Sequence, residues 1–431
     1  MKGFHPVARK RHFFFGWYIV GLMIIGMALI YGIRSSFAVF FAPVLDEFGW
    51  YRGSTAIMLS LNIFIYGLTA PLAGMLVDRW KPRTVVVLGI LLLSAATAAN
   101  YFATELWHFY LLFGVLAPIG TAFCGSPVFN PTVINWFGKK RSLAVGLGQL
   151  GGGLSFAYVI LVESVISYFN DWRPVFFVMA GLVLAMLPFY LIFFYHRPAD
   201  KGKTVYGEDG PGAAANSTEV QAEMEHDWKL RTAFRTPQLW LLVFTEVCFW
   251  GVGEYMIIAH QVKFAEDAGY SSALAASVFA LFGLVSMAGQ LCSSISDRIG
   301  RETTLTIAVV MSVGALIALS SVKDTSQPWL LYIYSVAAGL GVGLFSPNII
   351  VGTADIYRGR NIGTITALLM TGMGLGGAIG PWLGGYIFDV TGSYQAAFMV
   401  AIGAFILGCI SFWIAAPRNA EKLRAKKMTS I

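Results

Sequence analysis

The chain is 431 residues long, 57% hydrophobic and only 12% charged, with a formal net charge of +7. A water-soluble domain carries about 25% charged residues, so in water this chain would leave far too much apolar surface uncovered, and a soluble fold is excluded. Its four cysteines (Cys124, Cys248, Cys292 and Cys409) fall in apolar runs without C-x-x-C spacing, which argues for packing residues and against a disulfide framework or a metal site.

The basic N-terminus, with Lys2, Arg9, Lys10 and Arg11, leads into an apolar run longer than the core of a cleavable signal, and no small-residue cleavage site follows. This run, near 15–44, is the first of twelve candidate spans. The others lie near 54–77, 84–104, 108–134, 142–168, 174–195, 237–262, 272–295, 303–322, 328–353, 361–388 and 395–416. Each is long enough to cross about 30 Å of hydrocarbon, which takes roughly 20 apolar residues. A backbone in lipid must bond to itself, and the alternating strands of a barrel are absent, so the fold class is an all-α membrane protein. Between the sixth and seventh spans, residues 196–236 contain KGKTVYGEDGPGAAANSTEV, which predicts a flexible linker. The later EMEHDWKLRTAF reads as a short surface helix, and the tail EKLRAKKMTSI is basic and suited to anionic lipid.

Lysine and arginine set the orientation. Of the 30 Lys and Arg, 25 fall in segments on the side of the termini and 4 in the opposite loops. That bias predicts cytoplasmic termini in a plasma (inner) membrane. It also explains the net charge as a topology signal, so no nucleic-acid partner is expected.

The chain repeats itself. Gly49 corresponds to Gly269, Asp78–Arg79 to Asp297–Arg298, Arg141 to Arg360 and Phe177 to Phe398, at offsets between 219 and 221, each at the same helix–loop junction. A parallel duplication of six helices follows: one bundle in 1–195, the linker 196–236, and a second bundle with its basic tail in 237–431. Such a duplication places the solute site between the halves and predicts alternating access by rocking.

With these landmarks the chain resembles the major facilitator superfamily over essentially its whole length. GMLVDRWKPR is similar to that family's loop between spans two and three, with Lys81 in place of the second glycine, and SSISDRIGR is the second-half copy. The resemblance implies that Asp78, Arg79 and Arg83, with Asp297, Arg298 and Arg301, form breakable inter-helix clamps that gate the conformational change. NWFGKKRSLAVGLGQLGGG, DWRPVFF, RTPQLWLL and HQVKFAEDAGYSSALAA resemble the monocarboxylate and oxalate/formate transporter branch, which implies a small organic acid carried with a proton or against a counter-anion. That branch commonly has an arginine in span eight; the matching position here is Gly289. The span-eleven lysine of some oxalate exchangers is also missing, and that stretch reads ITALLMTGMG.

Ionisable residues inside apolar runs cost about 2.5–3.5 kcal/mol on insertion scales and normally face a cavity or a partner. Arg34, in ALIYGIRSSFAVFF, is the sharpest case, with three placements open to it: snorkelling, a structural salt bridge, or the solute. The offset of 220 pairs Arg34 with Glu254 in CFWGVGEYMIIAH, which suggests a cross-cavity pair in which Arg34 receives a carboxylate and protonation of Glu254 frees it. A static gate lock is the competing reading. Tyr31, one turn from Arg34, and Trp250, one turn from Glu254, are candidate cavity residues. Asn130 is a further polar candidate for the solute, although helix–helix hydrogen bonding also accounts for it and for Asn62. Glu246 and His260 are candidates for proton coupling, His260 alternatively being a structural hydrogen-bonded ring. GLGQLGGG and TGMGLGGAIGP read as close-packing faces that permit sliding, since no phosphate loop fits their context.

No zinc spacing, nucleophile elbow or nucleotide loop occurs in a suitable setting, so no enzyme activity, metal or cofactor is expected. The sequence predicts a monomeric, proton-coupled carrier of a small organic anion. An anion exchanger and an efflux carrier for amphiphilic compounds are the alternatives within transport, and a non-transporting sensor is the rival outside it.

Overall fold

The computed structural model describes residues 14–80, 82–137, 141–206, 228, 230–357 and 362–419. Among them, twelve helices are long and apolar enough to cross a membrane: span 1 (Gly16–Phe48), span 2 (Arg52–Leu76), span 3 (Pro82–Phe102), span 4 (Leu106–Trp136), span 5 (Leu143–Phe169), span 6 (Arg173–Phe193), span 7 (Pro237–Asp267), span 8 (Ser272–Ile299), span 9 (Arg301–Ser320), span 10 (Trp329–Ile356), span 11 (Thr364–Thr391) and span 12 (Gln395–Asn419). An even number of crossings puts both chain ends on one side, the terminal side; the opposite face is the far side. The repeat shows in the backbone. Spans 1 and 7 both close on a left-handed glycine, Gly49 at φ +65° and Gly269 at φ +95°, a conformation a side chain resists.

Glycine sets how closely the helices approach. In span 11, Gly372, Gly376 and Gly380 recur every four residues, and a Cβ on them would meet Val243 O, Val247 O and Gly251 O of span 7 at 2.7, 2.2 and 2.5 Å. Gly374 and Gly377, on another face, meet Gly67 Cα and Ile63 of span 2 in the same way at 3.0 and 2.4 Å. Gly151 of span 5 lies against Ile24 O of span 1, and Gly153 against Met287 of span 8. Both glycine-rich stretches are therefore close-packing faces, and part of each meets the other half.

Spans 1, 4 and 7 carry irregularities that bear on the site. Span 1 bends at Ser36, whose hydroxyl donates to Gly32 O at 2.6 Å. Span 4 contains a π-helical stretch, Tyr110–Leu116, and breaks at Gly125 (φ −103°, ψ −156°). Span 7 contains a π-helical stretch, Val247–Glu254. Such irregularities collect where a helix serves something other than its own regularity.

The linker is less free than expected. Pro198–Lys201 forms a short 3-10 turn, and the Tyr206 N–H donates to Trp136 O at 3.0 Å while its ring packs on Phe14 and Phe137. Trp228 is buried with its ring 5.0 Å from Tyr357. Aromatic side chains in a polar segment bury enough area to anchor it. Of the segment expected to form a surface helix, the described residues show one turn, Leu230–Ala233; residues 207–227 and 229 lie outside the described ones.

Candidate functional site

Arg34 does not snorkel. It is 9% exposed, and its Nε donates to Asn62 Oδ1 of span 2 at 2.7 Å. Its guanidinium carbon sits 4.5 Å from the Tyr66 ring centroid and 5.8 Å from that of Tyr31, so aromatic faces rather than an acid offset the charge. The Asn62 Nδ2 in turn donates to Phe113 O, within the π-helical stretch of span 4, at 2.7 Å. The break at Gly125 frees the Ser126 N–H from helical bonding, and it donates to the Tyr31 hydroxyl at 3.3 Å. The Tyr31 hydroxyl also lies 2.8 Å from that of Tyr66 and donates to Ser126 Oγ at 3.1 Å. From the other half, the Tyr255 phenol lies near Arg34, its hydroxyl donating to Met373 Sδ of span 11 at 4.0 Å.

This arrangement departs from the expected pair. Arg34 and Glu254 form no ion pair, and the guanidinium Nη2 is buried without a hydrogen-bond partner. Glu254 is buried with Oε1 unpartnered and acts electrostatically on Tyr334 of span 10, whose hydroxyl donates to Gln261 Oε1 at 2.5 Å. The Glu246 Oε2 is likewise buried and unpartnered, in the neighbourhood of Tyr255. The two acids bracket the π-helical stretch of span 7, so α-helical periodicity does not give the angle between them. Trp250 donates from Nε1 to Ser346 Oγ at 3.2 Å and stacks obliquely on Tyr255, 5.6 Å away, which places it on the same wall.

Other candidates are engaged elsewhere. Asn130 accepts from Gln149 Nε2 at 2.9 Å, a bond between spans 4 and 5, so helix packing accounts for it. The His260 Nε2 lies 2.8 Å from Pro381 O, which can only accept, so Nε2 carries the proton and Nδ1 accepts from the Tyr394 hydroxyl at 3.2 Å. That ring is a tie between spans 7, 11 and 12. Gly289, where the resembled branch has its arginine, has no room for one: a Cβ there would stand 2.9 Å from both Gly343 Cα and Leu340 O of span 10.

On the terminal side, Arg301 of span 9 bonds Asp297 of span 8 at 2.6 Å and Asp355 of span 10 at 3.0 Å, joining three helices of one half, and Arg298 is exposed. In the first copy Arg83 is exposed with its guanidinium 6.0 Å from the Tyr195 ring. The side chains of Asp78 and Arg79 lie outside the described ones.

The far side holds a junction the sequence did not announce. Asp389 of span 11 accepts from the Arg52 and Gly53 N–H groups at 3.0 and 2.7 Å, capping the start of span 2 from the other half. The Arg52 guanidinium bonds Asp267 at 2.5 Å and the Tyr394 hydroxyl at 2.8 Å, and lies 3.6 Å over the Phe388 ring. Lys263 of span 7 reaches Asp46 of span 1 at 3.6 Å. Among the described residues, the hydrogen bonds and ion pairs between the halves run from this junction down to Gly67–Thr371.

The model of the Major Facilitator Superfamily matches residues 23–329 and 293–429. The chain is similar to monocarboxylate transporter 13 of Bos taurus, at 28% identity over 405 residues covering 91% of this chain and 87% of that one. It is also similar to monocarboxylate transporter 11 of Homo sapiens, at 25% identity over 411 residues covering 94% and 83%. A crystal structure of a bacterial homologue of the human lysosomal transporter Spinster, inward-facing and occupied, matches with a TM-score of 0.65 at 16% identity, over 94% of this chain and 97% of that one. This last likeness bears on the fold alone.

Proposed function

The chain belongs to the Major Facilitator Superfamily, and we propose that it is a secondary active carrier of a small organic anion with a single carboxylate. It is a membrane transporter and not an enzyme, similar to monocarboxylate transporters along nearly its whole length. One observation carries the choice of anion: a buried guanidinium with Nη2 unused and no ion pair to any described acid. A charge held that way in a membrane interior invites an anionic visitor. Its position beside Tyr255 of the other half suits a site shared by both bundles.

The proton is carried by Glu254, with Glu246 as the second buried acid of the same span. A protonated carboxyl crosses an apolar interior far more cheaply than a carboxylate, so loading Arg34 with an anion and Glu254 with a proton together minimises the buried charge. The halves 1–195 and 237–431 rock about this site, the linker 196–236 joining them. The termini are cytoplasmic, so the closed far side faces out of the cell and the conformation is inward-facing. The Asp297–Arg301–Asp355 cluster ties helix ends of one half that move together.

Uptake of labelled pyruvate, lactate and benzoate into vesicles containing the purified protein tests the reading. Arg34→Ala removes a charge-assisted hydrogen bond, worth about 1.5–3 kcal/mol, so apparent affinity falls by about tenfold or more. Glu254→Gln retains anion exchange and loses accumulation driven by a pH gradient. Wild-type kinetics in both variants would refute the assignment.

A further inference from the structure

The halves meet along two seams, and the repeat makes the contact of spans 5 and 8 the counterpart of the contact of spans 2 and 11. At the offset of 220, Arg52 and Gly53 correspond to Ser272 and Ala273 at the start of span 8, and Asp46 corresponds to Glu266 at the end of span 7. Spans 5 and 8 run antiparallel in close contact: a Cβ on Gly283 would meet Gly153 O at 2.7 Å, and the Phe156 ring lies 5.3 Å from that of Phe279. The same register brings Glu163, seven residues beyond Phe156, level with Ser272, seven residues before Phe279. Glu163 is 8% exposed, and its Oε1 accepts from Ser167 Oγ at 3.0 Å. It lies near Glu266 of the other half, which is hydrogen-bonded to Ser272. A carboxyl group of one half therefore meets a carboxyl group of the other at the seam where the counterpart of Arg52 is a serine.

The charges around this pair come from spans 1 and 7. Span 1 brings Asp46, and span 7 brings Lys263, whose Nζ lies 3.6 Å from Asp46 and 3.4 Å from Asp267. Asp267 is taken by Arg52 and Glu47 by Arg173. The start of span 8 contributes hydroxyl groups, Ser272 and the cap Ser271, which accepts from the Leu274 N–H of its own helix. Asp46, Glu163 and Glu266 thus share one ammonium group, and among the described residues neither Glu163 nor Glu266 has an ion pair. Like charges brought together by a closing interface repel, and a proton shared between two carboxylates removes that repulsion and adds a hydrogen bond. Glu266 is twelve residues beyond Glu254, about 18 Å along span 7, so the seam is separate from the solute site. We propose that Glu163 and Glu266 form a proton-operated latch on the far side: the pair takes up a proton as the halves close there and releases it as they part. Arginine at the other seam keeps its charge at any working pH. The closed state binds the extra proton, so acid favours closure and the effect is lost as pH rises.

Double electron–electron resonance tests the latch in the full-length protein without its native cysteines. Spin labels go on Tyr168→Cys and Gln327→Cys, exposed far-side positions in opposite halves. Glu254→Gln is added to the background, so that this acid of the solute site does not titrate. Between about pH 8 and about pH 5, the ratio of closed to open distances should rise by about fivefold or more. Glu163→Gln and Glu266→Gln each keep the shape of a protonated carboxyl group, and either should hold the ratio near its acid value at both pH values. Glu47→Gln, which removes a far-side acid paired within one half, should leave the pH response intact. A response that persists with Glu163→Gln and Glu266→Gln together overturns the proposal. So does an equal loss in Glu47→Gln, or a ratio that does not change with pH in the background itself.

Discussion

Removing the Asp389 carboxylate is the sharpest probe of how the far side is held shut. Its two oxygens take the Arg52 and Gly53 amides at 3.0 and 2.7 Å, so a residue of one half caps a helix of the other. Capping bonds of this kind are worth about 0.5–2 kcal/mol, and a carboxylate at a helix N-terminus adds about 0.3–1 kcal/mol. Asp389→Ala is thus expected to cost the closed state about 2 kcal/mol, roughly thirtyfold in the equilibrium between closed and open. Ser60 reports on that equilibrium. It lies on span 2 about 12 Å from the junction, buried, with its hydroxyl 3.2 Å from the Trp382 N–H of the opposite half. In a background without the native cysteines, Ser60→Cys should react slowly with a membrane-impermeant maleimide on the far side, and about tenfold or more faster once Asp389→Ala is added. Glu47→Gln is the control. Glu47 is bonded by Arg173 at 2.6 Å and by Trp172 Nε1 at 2.7 Å, all within one half, so opening leaves these bonds intact. Slow labelling in Asp389→Ala, or equal acceleration by Glu47→Gln, would refute the reasoning.

Gly374→Leu would drive a side chain into Gly67 of span 2, where a Cβ already meets its Cα at 3.0 Å; overpacking costs of about 1–3 kcal/mol should lower Tm and slow transport together, as vesicle uptake would show. Gly289→Arg, which restores the arginine of the resembled branch, should fail to give a functional carrier because Gly343 and Leu340 occupy the space, so a melting curve with a much reduced Tm is expected. His260→Leu removes two hydrogen bonds, to Pro381 O and Tyr394, and should lower stability by about 1–3 kcal/mol while leaving the shape of the pH–uptake profile unchanged; a flattened profile would make this ring a proton relay.

The twelve spans were legible because hydrocarbon thickness imposes length and apolarity on each, and the repeat because its landmarks sit at helix ends where backbone geometry is exacting. Arg34 was legible as a charge without an apolar excuse. Its surroundings were not. Asn62 is one polar residue in an apolar span, and sequence alone does not separate a helix-to-helix bond from a brace on a guanidinium. Ser126 joins the site only because span 4 breaks at Gly125, and Glu246 and Glu254 are separated by a π-helical stretch that no hydrophobic pattern announces. Extrapolating the duplication to an Arg34–Glu254 pair assumed that equivalent positions meet; the π-helical stretch of span 7 alters the phase of that helix, and Tyr255 faces Arg34 instead. Arg52, Asp267 and Asp389 looked like ordinary loop charges, since nothing local links residues so distant along the chain.

If the bundles rock as proposed, the duplication accounts for the far-side junction acting as a gate rather than a brace. At the offset of 220, Glu47 at the end of span 1 is equivalent to Asp267 at the end of span 7, and at 221, Arg173 is equivalent to Tyr394. In the first half the acid finds its cation on span 6 of the same bundle. In the second half a tyrosine occupies the cation's place and donates to His260, so Asp267 takes a guanidinium from across the interface, that of Arg52, with Lys263 at 3.4 Å as its neighbour. Rocking the bundles apart leaves the Glu47–Arg173 pair whole and strips Arg52 from Asp267, Tyr394 and Asp389 at once. In the proposed rocking mechanism, one exchange of arginine for tyrosine between two copies of a helix is thus the difference between a clamp within a bundle and a contact that would have to break for the solute to pass.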